Sequence, residues 1–205
     1  MLFENCTVLF QGDSVTDCGR SRDNDDNPGI GYAAMVANQV GALYPALNVK
    51  FVNRGTSGNK VKDLNTRFDR DFLSVAPDII TILIGINDVW RRYDSNDPTS
   101  AEEYESGYNT LLSSIKNNLP EATIILLDPF VLHTTDRAEW HEDLDPKIQV
   151  VRKLAREYNC VYLPLDGIFA SASVLKEPAY WAADGVHPTR FGHALIAEKL
   201  LEILL

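Results

Sequence analysis

Five short, apolar, largely β-branched runs, at residues 6–10, 49–52, 79–84, 123–127 and 161–163, alternate with longer stretches of helical periodicity at 32–43, 61–72, 101–118, 146–158 and 189–204. A strand–helix rhythm sustained along a chain packs as parallel βα units, because each helix must carry the chain back across a sheet face before the next strand can join. Each run is closed by Gly, Asn, Asp or Pro and is nearly continuous in its hydrophobicity, the pattern of strands covered on both faces. In the last helical stretch Ala194, Leu195, Ala197, Leu200 and Leu201 make one apolar face, and Pro188 falls just before or at its first turn, where a missing N–H costs little. The 205 residues, 45% of them hydrophobic, suffice for one sizeable core, so a single domain over 1–205 is expected.

The formal net charge of −10 disfavours nucleic acid and anionic membrane surfaces as partners, since both need a basic face. The opening residues, MLFENCTVLFQGDS, have no basic region ahead of an apolar one, and no later apolar run approaches membrane-spanning length. Cys6, Cys18 and Cys160 are odd in number and scattered, which suggests neither a disulfide framework nor a zinc set. A reducing cytoplasm is the expected setting. Cys18 lies close to Ser14, but a small buried cysteine is the expected description.

The polar segments 17–28 and 91–100 read as loops leaving strand ends. Ligands of open α/β sheets bind beyond the carboxyl ends of the strands, so these loops border the expected site. At the first such end, Phe10-Gln11-Gly12-Asp13-Ser14 runs an apolar strand into a glycine turn and delivers a serine. A hydroxyl needs a base to become a nucleophile, and Gly-Asp-Ser alone is equally a plain turn. Of His133, His141, His187 and His193, one stands apart: in Asp184-Gly185-Val186-His187-Pro188 a carboxylate three residues earlier can accept the imidazole Nδ1 proton and leave Nε2 for the serine. The competing reading makes Asp184 a helix cap and His187 a surface residue. His193, inside the last helix, reads as a structural histidine. His133 and His141 flank a polar loop with Asp136, Glu139, Glu142 and Asp143 that lacks short metal-ligand spacing.

Two further turns offer donors for a developing oxyanion. Asn53-Arg54-Gly55-Thr56-Ser57-Gly58-Asn59 follows the second strand, and its glycines permit close backbone approach; Gly85-Ile86-Asn87-Asp88 follows the third, with the Asn87 amide as a second donor. Taken together and in order, Gly-Asp-Ser, Ser-Gly-Asn, Gly-x-Asn-Asp and Asp-x-x-His resemble the four blocks of the SGNH, or GDSL, hydrolases, and they span nearly the whole chain. The resemblance implies a flavodoxin-like three-layer α/β/α sandwich around a five-stranded parallel sheet. It implies Ser14 as nucleophile, His187 and Asp184 completing a triad, and an oxyanion hole formed by the Ser14 and Gly58 backbone N–H groups and the Asn87 side chain. Gly55 is left as a structural turn. Val15 departs from the leucine of the family label, which weakens an inference to lipases.

The stretches 12–20 and 84–91 more narrowly resemble bacterial SGNH acetylxylan esterases, which implies an acetylated sugar as the small ester substrate and a homo-oligomer; with no signal peptide read in the opening residues, short imported oligosaccharides are expected rather than polymeric xylan. Asp13, Trp90, Tyr93 and Trp181 are the candidate substrate contacts, with core packing the other reading of the three aromatics. The chemistry asks for no metal or organic cofactor. Since His187 must be neutral to act as base, activity is expected to fall on acidification through a pKa near ~6.5. The alternatives are a broad short-acyl esterase, thioesterase or lysophospholipase-like acylhydrolase, and, from another class, a carbohydrate- or flavin-binding protein of the same fold without catalysis.

Overall fold

All five expected strands form, as β1 (Thr7–Gly12), β2 (Lys50–Asn53), β3 (Ile79–Leu83), β4 (Thr123–Leu127) and β5 (Val161–Leu163), in a computed structural model that describes residues 1–24, 27–134 and 137–205. They pair in parallel in the order β2-β1-β3-β4-β5, with Leu9 beside both Val52 and Ile80, and Ile80 beside Ile124. This is the flavodoxin-like doubly wound order. The direction in which strands are added reverses between β1 and β3, and a crevice opens there at the carboxyl ends.

The helices are α1 (Ser14–Asp17), α2 (Tyr32–Leu43), α3 (Val61–Thr66), α4 (Ile86–Ser95), α5 (Ala101–Asn118), α6 (His141–Glu157), α7 (Leu165–Leu175), α8 (Pro178–Trp181) and α9 (Arg190–Leu204). The two-residue period of the strands sorts their side chains onto two faces. Val8, Phe10, Ile79, Leu83, Ile125 and Leu127 pack with Tyr32, Val36, Phe169, Ile196 and Leu200, which puts α2, α7 and α9 on one side. Leu9, Ile80, Ile82, Ile124 and Leu126 meet Leu64, Tyr104, Leu111, Ile115 and Leu154, which puts α3, α5 and α6 on the other. With each fully buried Leu or Ile stabilising by about 1.5–3 kcal/mol, these layers hold β1 and β3 as a rigid base for whatever their carboxyl ends carry.

Several helix boundaries differ from the sequence expectation. The stretch 61–72 is not one helix: α3 stops at Thr66, and a π-type turn follows at Asp69–Leu73. Arg67 breaks it by turning its buried guanidinium inward, where Nη1 donates to Gln11 Oε1 and the Arg54 carbonyl at 2.9 Å and to Asp71 Oδ2 at 2.7 Å. The stretch 91–100 is not all loop, because α4 continues to Ser95 and ends on Asn96 at φ 50°. Helix α6 begins at His141, five residues before Pro146, with Glu142 and Asp143 complementing the positive end of its dipole. Thr189 is the N-cap of α9, its Oγ1 accepting from the Phe191 and Gly192 N–H groups, so the capping role considered for Asp184 belongs to another residue. Among the residues of the polar loops, Asp25, Asp26 and Asp136 lie outside the described residues.

Candidate active site

The crevice at the β1–β3 boundary gathers three of the four sequence blocks. Phe10 lies beside Asn53 in the β1–β2 pair and Gly12 beside Leu83 in the β1–β3 pair, so the chain leaves three neighbouring strands at one level, toward Ser14, Gly58 and Asn87. Asp13 caps the single turn of α1 by accepting the Val15 N–H at 3.0 Å, and this fixes Ser14 as the first residue of that turn. Asn53 then stitches the next loop to the same turn: its Nδ2 donates to the Thr16 carbonyl at 2.6 Å and its Oδ1 accepts the Gly55 N–H at 2.8 Å. A Cβ on Gly55 would come within 2.4 Å of the Asp17 backbone nitrogen, so only glycine permits this approach, and Gly55 is the structural turn expected.

The fourth block arrives on the loop between α8 and α9. An antiparallel bridge between Ala182 and Pro188 closes that loop, and the Leu132 N–H donates to the Gly185 carbonyl at 2.8 Å, which anchors it to the segment after β4. Ser14 Oγ lies 2.9 Å from His187 Nε2, and His187 Nδ1 lies 2.7 Å from Asp184 Oδ2. A carboxylate only accepts, so Nδ1 carries the ring proton and the Nε2 lone pair faces the serine hydroxyl. The other carboxylate oxygen, Asp184 Oδ1, accepts the Val186 and His187 N–H groups at 3.0 and 2.7 Å. Despite the burial that opposes it, the hydrogen bonds from the His187 side chain, the His187 N–H and the Val186 N–H hold the Asp184 carboxyl well below the usual range. The same Asp184 contact raises the His187 pKa above its ordinary value, partly offset by burial and assisted by the charge of Asp13.

Gly58 takes φ +83°, a conformation that favours glycine, in the turn before Asn59. The Asn87 amide is buried and fixed from both ends: Nδ2 donates to the Asn59 carbonyl at 3.1 Å, and Oδ1 accepts from Arg91 Nη2 at 3.3 Å. One Nδ2 hydrogen therefore remains beyond the bond to Asn59. Arg91 was legible only as a loop residue, and its placement within α4, one turn after Asn87, is what lets it orient that amide.

The substrate contacts read from sequence separate in the structure. Trp90 stands at the site, its ring 5.7 Å from the His187 ring and 5.2 Å from Trp140, with the Arg137 guanidinium 5.0 Å over it. Tyr93 is displaced behind this pair. It stacks on Trp140 at 5.0 Å and donates its hydroxyl to Asp143 at 3.0 Å, so its role is to back the aromatic cluster. Trp181 is taken up by packing, since its Nε1 donates to the Ala172 and Lys176 carbonyls at 3.2 Å and its ring packs against the α2–α7–α9 layer. Asp13 is a correction. It is 1% exposed and committed to the α1 cap, so it is no substrate contact, and burial pushes its pKa up to about 7. Trp140 and Arg137 were missed, because nothing in their local sequence marks them; only the fold brings them beside Trp90.

A Cys–His pair, Cys18 and His193, is not arranged as a nucleophile with its base. His193 Nδ1 accepts the Tyr32 N–H at 3.2 Å, so the neutral ring must hold its proton on Nε2, which faces Cys18 Sγ at 3.3 Å as a donor. Burial pushes His193 down to about 4, and burial together with Asp17 raises the Cys18 thiol. The histidine thus offers the thiol no basic nitrogen. Among the described residues no three His, Cys, Asp or Glu side chains come together as a metal site.

The profile of the GDSL-like lipase/acylhydrolase family matches residues 10–195. An acetylxylan esterase from Geobacillus stearothermophilus is 36% identical over 202 residues, covering 95% of this chain and 91% of the esterase. The crystal structure of that organism's acetylxylan esterase superposes with a TM-score of 0.91 at 34% identity, covering 99% of this chain and 95% of the other. Solved forms of it include catalytic mutants in which one serine, one aspartate or one histidine is replaced by alanine. The crystal structure of a GDSL-like protein from Parabacteroides merdae superposes with a TM-score of 0.95 at 37% identity, covering 100% and 97% of the two chains.

Proposed function

The chain belongs to the GDSL-like lipase/acylhydrolase family, and from that premise we propose that it is a carboxylic ester hydrolase removing acetyl groups from xylo-oligosaccharides or related sugars, with Ser14 as nucleophile. The observation that carries this reading is the unbroken chain Ser14 Oγ, His187 Nε2, His187 Nδ1, Asp184 Oδ2 at 2.9 and 2.7 Å. His187 takes the Ser14 proton as Oγ attacks the ester carbonyl. The carbonyl oxygen becomes negative and is met by the Ser14 and Gly58 N–H groups and the Asn87 amide. Collapse transfers the proton from His187 to the leaving sugar hydroxyl and leaves an acetyl-serine. Water, deprotonated by the same imidazole, releases acetate and restores Ser14. Trp90, beside His187, is the ring placed to support a sugar. A reducing, cytoplasmic setting belongs to this reading, supported by the three unpaired cysteines, and short oligosaccharides are its expected substrates. No helix among the described residues is long and apolar enough to cross a membrane. A homo-oligomer is also part of the reading, supported by the exposed apolar end of α7 at Val174 and Leu175.

Two predictions test the parts. The first concerns pH. His187 must be neutral to act, and its pKa is raised by Asp184, so kcat/KM is expected to fall on acidification through a midpoint above the ordinary ~6.5. Asp13, pushed up to about 7, interacts with the same imidazole, so the acid limb belongs to the pair rather than to one group. A pH–rate profile on an acetylated sugar measures this, and a flat profile from pH ~5 to ~8 would remove His187 from its role.

The second concerns the oxyanion donors. Asn87→Ala is expected to lower kcat by about 10²–10³-fold. Arg91→Met removes the group that orients the amide, together with its ion pair to Asp94, and is expected to lower kcat by about tenfold with KM little changed. Wild-type kcat in both variants would show that Asn87 does not face the reacting carbonyl.

A further inference from the structure

The loop that carries Gly58 has a second face. Behind it opens a recess of about 500 Å³ whose lining includes Arg20, Arg22, Arg54 and Arg70 with Thr56 and Asp71. Acidic residues outnumber basic ones 29 to 19 in this chain, so four cations converging on one recess run against its general charge. All four are arginine, whose planar fork matches a carboxylate or phosphate edge in a way a lysine ammonium does not.

Asp71 is contacted by Arg67 at 2.7 Å, by Arg70 at 2.8 Å and by Arg54 at 3.8 Å, while Asp17 takes Arg22 at 2.6 Å. Among the described residues no carboxylate pairs with Arg20, which donates instead to the Gly55 and Ser21 carbonyls at 2.6 and 3.3 Å. Two of the five N–H groups of its guanidinium are thereby used. Burial, and then the neighbouring Arg22 charge, push Arg20 down to about 10 against the opposing charge of Asp17.

We propose that this recess binds an oxyanion, a carboxylate or a phosphate-like group, and that its natural source is the carboxylate of an acidic sugar on the acetylated oligosaccharide. The second half rests on the deacetylase reading given under the proposed function. The recess is joined to the reacting centre through one loop. Arg20 Nε and Arg22 Nη1 both donate to the Gly55 carbonyl, and the Asp17 oxygen that holds Arg22 also accepts the Ser57 N–H and hydroxyl at 3.0 and 2.9 Å. An anion seated there braces the loop that ends in Gly58, so remote binding energy is turned toward the oxyanion hole.

The test compares neutral acetylated xylo-oligosaccharides with uronic-acid-substituted ones of equal length, and titrates sodium glucuronate and inorganic phosphate into the wild type and Arg70→Glu by calorimetry. Arg70 is 72% exposed and outside the triad and oxyanion loop, so its variant should fold, with Arg70→Gln as the milder form. The wild type is expected to favour the acidic substrate by about tenfold in kcat/KM, the preference shrinking with salt and vanishing in Arg70→Glu while the neutral substrate stays within about twofold. Binding of glucuronate and phosphate without a substrate preference would support the recess and assign it to a free oxyanion. Neither binding nor preference would overturn the proposal. If aryl acetate were cleaved but neither oligosaccharide were, the sugar reading would fail while the titrations still decided the recess.

Discussion

Ser14→Ala is expected to lower kcat/KM toward p-nitrophenyl acetate by about 10⁴-fold or more, leaving the residue of catalysis that binding and oxyanion donors supply. The magnitude follows from what is removed. Without Oγ there is no acyl acceptor, His187 Nε2 loses the proton it lies 2.9 Å from, and the only route left is direct attack by water. The fold should persist, because Ser14 is partly exposed and α1 is held by the Asp13 side chain and the Asn53 bond to Thr16 rather than by the serine hydroxyl. A fluorophosphonate should add mass to the wild type at Ser14 and none to the variant. Labelling of Cys18 instead would be the contrary result, and the Nε2–H that His193 turns toward that thiol argues against it.

Asp184→Asn is expected to cost about 10³–10⁴-fold in kcat with a folded site, for a reason visible in its hydrogen bonds. Asp184 Oδ1 accepts two backbone N–H groups, so the amide oxygen of an asparagine must stay there, which places its NH₂ where Oδ2 now faces His187 Nδ1. Donor would meet donor unless the imidazole moved its proton to Nε2. That tautomer directs an N–H at Ser14 and holds no base for it. The measurement is kcat together with the ¹⁵N shifts of the His187 ring. A variant within about tenfold of wild type, still protonated on Nδ1, would show that the carboxylate is not needed to set the tautomer.

The pH dependence of stability carries the same signature with opposite signs for the two partners. Asp184 has its pKa depressed, so its contribution is present above the ordinary carboxylate range and is lost as pH falls through the folded value. His187 has its pKa raised, so its contribution is full below the ordinary histidine value and is lost as pH rises through the folded one. Both side chains are more than 40% exposed, so solvent screens the pair and its role lies in orientation rather than in stability.

The strands were legible because parallel, doubly covered strands are short runs of apolar residues with few alternatives, and the four blocks fall at their carboxyl ends in order. The hydrogen-bonded line of Ser14, His187 and Asp184 was legible for a local reason, since Asp184 and His187 share one loop and only Ser14 had to be brought from afar. Helices α4 and α7 were also within reach: Ile86, Val89, Trp90 and Tyr93, and likewise Leu165, Ile168, Phe169 and Ala172, keep helical spacing. In α4 that spacing was masked by the Asn87 block and the charged residues after it. What no pattern carries is tertiary. Arg67 breaks α3 because it is drawn to Asp71 and Gln11, Asp13 is removed from the substrate surface by its own capping bond, and Arg137 and Trp140 join Trp90 from a distant segment.

The central claim is that this serine site deacetylates sugars, and the most direct measurement is acetate release from acetylated xylo-oligosaccharides by the wild type, set beside cleavage of p-nitrophenyl acetate and octanoate. The account predicts rapid acetate release, with the acetylated sugar preferred over both aryl esters and the octanoate cleaved poorly. Octanoate cleaved as fast as acetate, with the acetylated sugar left intact, would contradict the assignment and return the chain to the broad acylhydrolases.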